Sequence, residues 1–355
     1  MEDRLRVGVV RMGLGCAAVL AGAGWAGAQP VALPPDYGYT WATVGAAGNA
    51  PYAGNEYGLN RGRGSVGYTY RMATTEVTVG NFLEFYNTFA PRSRELYLIF
   101  RQGLRLGATA YGDVDYYGPG DRLVLNPSIP NASRVPVMGV SWRLGALYCN
   151  WLHHDKSGDW QTIQTGAYDV GTFGYTSNLR FTDQRTRSPG ARYWIPSLDE
   201  WLKAVYYDPA KDGTGGWWNQ PNGTNTPQIY GPPGQGESSV GTFDPDIPTG
   251  SYPHVTTPWG LLDASGGVEE WTEEVVSNDF FSNDPIGRAF VGSNTWSNPV
   301  YDSWRLDEIG FQTFASNNRP SSTQGLRLAS AVPAPGGFVV FVAVVFPLSL
   351  RRRRL

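Results

Sequence analysis

Gly and Pro together fill 71 of the 355 positions, 45 and 26 respectively, and they do so without a collagen-like period. Each one interrupts a helix or strand, so a chain punctuated this densely folds into short elements joined by many turns. Against that, 41% of residues are hydrophobic and 14% aromatic, with 13 Trp, enough apolar material to build a sizeable core. The expectation is a loop-rich globular body whose packing relies on large rings.

Three segments carry helical spacing. Phe82, Phe85, Tyr86 and Phe89 fall at i, i+3, i+4 and i+7 behind Thr78, a residue suited to capping. Leu144, Leu147, Tyr148 and Trp151 repeat the pattern behind Ser141, and Leu198, Trp201, Leu202 and Val205 repeat it behind Ser197. Ser197 and Glu200 have the spacing of a capping box, in which each side chain satisfies the other's free backbone N–H. Between these lie short β-like pieces such as Gly67–Met72, Arg192–Ile195 and Gly325–Ala329. The predicted class is α+β: a single domain with three short amphipathic helices on small irregular sheets.

The two ends read as addresses. Arg4, Arg6 and Arg11 precede an apolar run from Met12 to Trp25 and the small residues Ala26-Gly27-Ala28, the pattern of a cleavable signal peptide over residues 1–28; an uncleaved anchor is the alternative. At the far end, over residues 331–355, Val332-Pro333-Ala334-Pro335-Gly336-Gly337 leads into an apolar stretch, 337–350, and closes on Arg351–Arg354. A membrane helix needs about 20 residues, and the Arg cluster would keep the cytoplasmic side. This tail resembles the PEP-CTERM sorting signal, which implies processing by an exosortase, transient anchoring in the inner membrane and export to the cell surface or extracellular matrix. A permanent single-span anchor fits the same residues. Without its ends the body, 29–330, has a net charge of about −8 and no Lys/Arg run, which argues against nucleic-acid binding.

Seven motifs stand in order along the body: Tyr70–Thr78, Val137–Trp142, Tyr148–Leu152, Ile195–Trp201, Pro258–Asp263, Gly267–Thr272 and Gly325–Arg327. Together they resemble the formylglycine-generating enzyme, or sulfatase-modifying-factor, domain family from about Trp41 to Ser330. The resemblance implies a C-type-lectin-like variant fold. It also implies oxidation of a sulfatase cysteine with oxygen and copper(I) held by two cysteines. Here the two ligand positions after Ser293 are occupied by Trp296 and Tyr301. Indole and phenol do not replace soft thiolates, and Cys16 lies in the signal segment, leaving Cys149 alone in the body. Copper chemistry is therefore not expected.

Calcium is the other ion the resemblance implies, with Asn219, Asp263 and Glu270 as candidate oxygen donors. Asp263 and Glu270 read equally as hydrogen-bonded core acids. The family's usual Asn is replaced by Gly267, which removes one donor. Iron would need histidines; only His153, His154 and His254 exist, the first two are expected to point to different sides of a helix, and all three read as helix-end or loop residues. Ser293 has no evident histidine partner for a nucleophilic role. The leading expectation is an exported binding or structural module, with Trp271, Ser293, Trp296 and Tyr301 lining a groove for polysaccharide or peptide. An oxidoreductase with a non-copper metal and a purely architectural matrix component are the alternatives.

Overall fold

The computed structural model describes residues 33–54, 60–103, 122–177, 181–276, 287–299, 307–310, 313–316 and 323–332. Leu33–Val332 forms one compact body. The signal segment and, but for Ala331 and Val332, the sorting tail lie outside the described residues, among which no helix is long and apolar enough to cross a membrane.

The three expected helices form where their caps start them. α1 (Val79–Phe89) begins behind Thr78, whose hydroxyl accepts the Asn81 N–H while the Asn81 side chain accepts the Thr78 N–H. α3 (Trp142–His153) is capped by Ser141 and buries almost its whole length. α4 (Leu198–Tyr206) carries the Ser197/Glu200 capping box. The structure adds a fourth helix to the expected three, numbered α2 in chain order (Arg94–Gly103). Its apolar residues Leu96 to Phe100 are consecutive rather than spaced, so Tyr97 and Phe100 face inward while Leu98 and Ile99 face water.

The strands are short, as the punctuation requires. One sheet has the order β1 (Trp41–Val44), β2 (Tyr70–Ala73), β10 (Ala329–Ala331), β3 (Tyr193–Trp194), all neighbours antiparallel, so the last strand of the body closes between two early ones. The first β-like piece starts its pairing only at Tyr70, and the last divides into β9 (Gln324–Gly325) and β10. A second sheet runs β8 (Thr313–Ser316), β7 (Gly287–Val291), β6 (Glu269–Val276), β9, with β6 and β9 parallel. β4 (Tyr207–Asp208) and β5 (Gly216–Trp217) form a separate ribbon. β9 can lie this close to its surroundings because position 325 is Gly: a Cβ there would collide with the Val268 side chain and the Val137 carbonyl.

The core is built on rings. Trp142, Trp151, Trp201 and Trp271 are fully buried, and Phe82, Phe85, Tyr148 and Trp151 pack edge-on and stacked between α1 and α3. Three of the four buried indoles satisfy their N–H: Trp142 on the Thr272 carbonyl, Trp201 on the Glu270 carboxylate, Trp271 on the Val140 carbonyl.

Candidate functional site

The start of β6 and the turn after β7 meet at one end of the second sheet. Ser293 Oγ accepts the Gly266 N–H at 2.9 Å, and the Thr295 N–H donates to the Gly267 carbonyl at 3.3 Å. Asn294 then folds the turn on itself: its side-chain oxygen accepts the Trp296 N–H and its own N–H donates to Ser297 Oγ. Trp296 is left half-buried at the tip, packed on one side against the core. A further loop is tied to the same turn through Thr242 Oγ1 and Thr295 Oγ1 at 2.8 Å and through the Phe243 N–H on the Thr295 carbonyl. Phe243 is 56% exposed and has φ +55, a backbone region that bulky residues avoid.

Two consecutive glutamates of β6 point to opposite faces of the strand. Glu270 points into the core. Arg327 Nε donates to both its oxygens at 2.8 and 3.0 Å, and Trp201 Nε1 donates at 2.6 Å. The same guanidinium reaches the carbonyls of Ala73, Leu262 and Asp263, so this ion pair ties β2, β6 and the loop before β6 together. Glu269 points to the turn carrying Trp296. It accepts from Asn294 Nδ2 at 2.9 Å, Thr323 Oγ1 at 2.9 Å and Gln324 Nε2 at 2.7 Å, with no Lys or Arg among its partners. Burial raises its pKa while the three neutral donors oppose the rise.

A small cavity lies behind this end, with Gln228, Glu237, Tyr252, Asp263 and Ser265 in its wall and about 10 Å³ of room, enough for one water-sized guest. Gln228 Oε1 is buried without a partner among the described residues. Asp263 Oδ2 accepts the Gly250 N–H at 2.5 Å, and burial pushes this carboxyl up to about 6. Glu76, fully buried and with neither oxygen hydrogen-bonded among the described residues, lies 4.0 Å from the Arg327 guanidinium, and its carboxyl is raised by burial and by the charge of Asp263. It presses against Gly267, where a Cβ would collide with it.

A family model described as the sulfatase-modifying factor enzyme 1-like domain matches residues 47–332, the stretch that contains every described strand but β1, all four helices and this site. The chain belongs to that family. No curated protein matches it. Among solved structures, Treponema denticola variable protein 1 is 15% identical over 82% of this chain and 95% of its own, with a TM-score of 0.50, a likeness of fold. The crystal structure of CarF is 17% identical over 83% of this chain and 99% of its own, with a TM-score of 0.45. PvdO from Pseudomonas aeruginosa is 14% identical over 83% and 92%, with a TM-score of 0.42. The mixed α+β architecture with short helices and small sheets agrees with the C-type-lectin-like fold expected of a sulfatase-modifying-factor domain.

Within this family frame the sequence-predicted residues separate. Trp271 does not line a groove: it is fully buried with its indole N–H on the Val140 carbonyl. Ser293 is 2% exposed, and its hydroxyl accepts the Gly266 N–H and hydrogen-bonds the Asp307 carboxyl, so it positions the turn. Trp296 does reach the surface, and Tyr301 lies outside the described residues. Of the three calcium donors, only Asp263 faces the cavity. Both Glu270 oxygens are engaged in the core, and Asn219 sits in a loop where its backbone bonds Asn225 and Ile309. Glu237 and Gln228 were not foreseen. Among the described residues no group of three or more His, Cys, Asp or Glu is placed to hold a metal.

The two-thiolate requirement of copper(I) is not met by the described residues. Cys149 is fully buried within α3 and burial pushes its thiol well above the usual range, which disfavours a thiolate. His153 and His154 do not diverge as an intact helix would demand. His154 leaves helical geometry at the C-terminal cap, and the two rings meet edge to face with centroids 4.9 Å apart. His153 Nδ1 accepts the Arg192 N–H and His154 Nε2 contacts the Thr165 carbonyl, so both rings are engaged in closing the helix end.

Proposed function

We propose that this sulfatase-modifying-factor domain is an exported binding module that has given up copper–thiolate oxidation. The observation that supports this most is the turn at Ser293–Ser297: it exposes an indole, holds its serine buried, and stands among described residues whose one cysteine is an inert core thiol. The signal-like N-terminus and the PEP-CTERM-like tail support export, processing by an exosortase, and residence at the cell surface or in an extracellular matrix, with polysaccharide or peptide as the ligand. Copper(I) loading of the full chain followed by elemental analysis tests the reading. It expects no stoichiometric copper or iron; one tightly held redox-active ion per chain would favour the oxidoreductase alternative.

For calcium, the donor chemistry that fits is Asp263 with Glu237 and Gln228 around the small cavity, a hard-oxygen set of the kind calcium takes. There the ion would neutralise the buried Asp263 carboxylate and fix the loops that precede β6. Its signature is a rise in melting temperature on adding calcium that Asp263→Asn abolishes.

A further inference from the structure

We infer that the exposed side of Glu269, together with Trp296 and Phe243, is a saccharide-binding site selective for uncharged sugars. The inference rests on the binding-module reading and names its ligand class. The first observation is the polar cluster. Glu269, Asn294, Thr323 and Gln324 form a network in which, among the described residues, the carboxylate accepts from neutral donors only, and the Gln324 amide also donates to Thr323 at 3.1 Å. Asn294 and Gln324 are 5% and 4% exposed, so the network is a fixed array rather than a set of mobile surface groups. Planar carboxylates and amides held in this way keep fixed positions, so their geometry costs no ordering when a ligand meets the half-buried Glu269.

The second observation is independent of the first. Phe243 keeps its ring 56% exposed while its backbone sits at φ +55. An exposed ring gains little from packing, so the fold holds an unfavourable conformation without an internal reward. Three hydrogen bonds enforce it: Thr242 Oγ1 with Thr295 Oγ1, Phe243 N–H on the Thr295 carbonyl, and Thr295 Oγ1 on the Asp244 carbonyl. The effect is to tie the backbone of Phe243 to Thr295, the residue that precedes Trp296. The Trp296 indole N–H has no partner among the described residues. Aromatic faces flanking a fixed array of planar polar groups match a pyranose, whose C–H face stacks on rings while its hydroxyls take the polar atoms.

Charge sets the selectivity. Among the described residues Glu269 has no cationic partner to offset it, so a uronate or sulfated sugar would place a second anion against an uncompensated one. A peptide would satisfy the rings equally well, but it brings backbone groups in extended rows, and the edge strand of this cluster, β9, already has its Gln324 carbonyl taken by the Val140 N–H at 3.2 Å.

The test is a titration of the full chain, purified in a mild detergent, with neutral gluco-, manno-, galacto- and N-acetylglucosamine hexasaccharides and with an oligouronate of the same length. Trp296→Ala, Glu269→Gln and Phe243→Ala are measured beside it, and thermal melts confirm that each variant folds. At least one neutral hexasaccharide should bind, at least tenfold more tightly than the oligouronate. Trp296→Ala and Glu269→Gln should each weaken binding tenfold or more, and Phe243→Ala a few-fold. Glu269→Gln should also narrow the gap between neutral and acidic probes, which a purely structural role would leave alone. Absence of binding to every saccharide, binding indifferent to Trp296→Ala and Glu269→Gln, or preference for the oligouronate would overturn the inference. If a serine-rich peptide instead protects Trp296 fluorescence from quenching, the saccharide assignment fails while the binding module stands. Cysteine oxidation by the copper-loaded chain would overturn the module itself.

Discussion

Glu269 and Glu270 are neighbours on one strand, the same residue type, and they do opposite things. Glu270 is 1% exposed and faces a guanidinium that is itself fully buried, two indole- or guanidinium-type donors saturating its oxygens. Glu269 meets only amides and a hydroxyl at the surface side of the same strand. The pleat separates them, and the partner sets the role. A carboxylate paired with a buried cation holds elements together, whereas one left with neutral donors remains an acceptor of uncompensated charge.

Removing that difference gives the largest expected effect. Glu270→Gln removes the nearest counter-ion of buried Arg327, leaving only Glu76 at 4.0 Å, and should cost about 3 kcal/mol of stability, seen as a lower denaturant midpoint. Glu269→Gln, with no buried cation to orphan, should cost about 1 kcal/mol. Equal losses at the two positions would break the contrast.

A third glutamate of the strand sharpens it through pH. Glu273 accepts from the Tyr168 hydroxyl and the Arg187 N–H, yet burial, and then the charge of Glu200, push its carboxyl up to about 7. The unfolded chain releases that proton near pH 4.3. Between about pH 4.3 and 7 the folded form therefore holds more protons, and stability falls as pH rises through this window. Asp307, pushed by burial up to about 6, adds in the same direction. Denaturant melts should show a higher midpoint at pH 5 than at pH 8, with a shallower slope in Glu273→Gln.

The smallest effect concerns Phe243. Glycine is at ease at φ +55, and the ring it would remove is mostly exposed. Phe243→Gly should leave stability unchanged or raise it by about 0.5 kcal/mol, while saccharide binding drops. A loss of more than about 1 kcal/mol would mean the ring serves the fold.

Much of this architecture is legible in the sequence because it is local. Thr78, Ser141 and Ser197 announce three helices, since a cap and a spaced apolar face are written within a dozen residues. α2 hides because its apolar residues run consecutively from Leu96 to Phe100. Strands of two to four residues carry too little alternation to delimit, as β9 and β10 show. The family motifs locate the turn at Ser293 but misjudge Trp271, whose place inside or outside depends on the pairing of β6 with β7. Glu269 was the missed residue. Two acids in succession on a strand must face opposite ways, and that alternation was the available signal. Its partners Asn294, Thr323 and Gln324 lie 25 to 55 residues away, so only the fold assembles them. Glu237 and Gln228 escaped for the same reason.

The most direct measurement is turnover. The full chain, loaded with copper(I) under oxygen and given a sulfatase-type cysteine peptide, should return the peptide with its cysteine unchanged by mass spectrometry. Conversion of that cysteine to formylglycine would contradict the account.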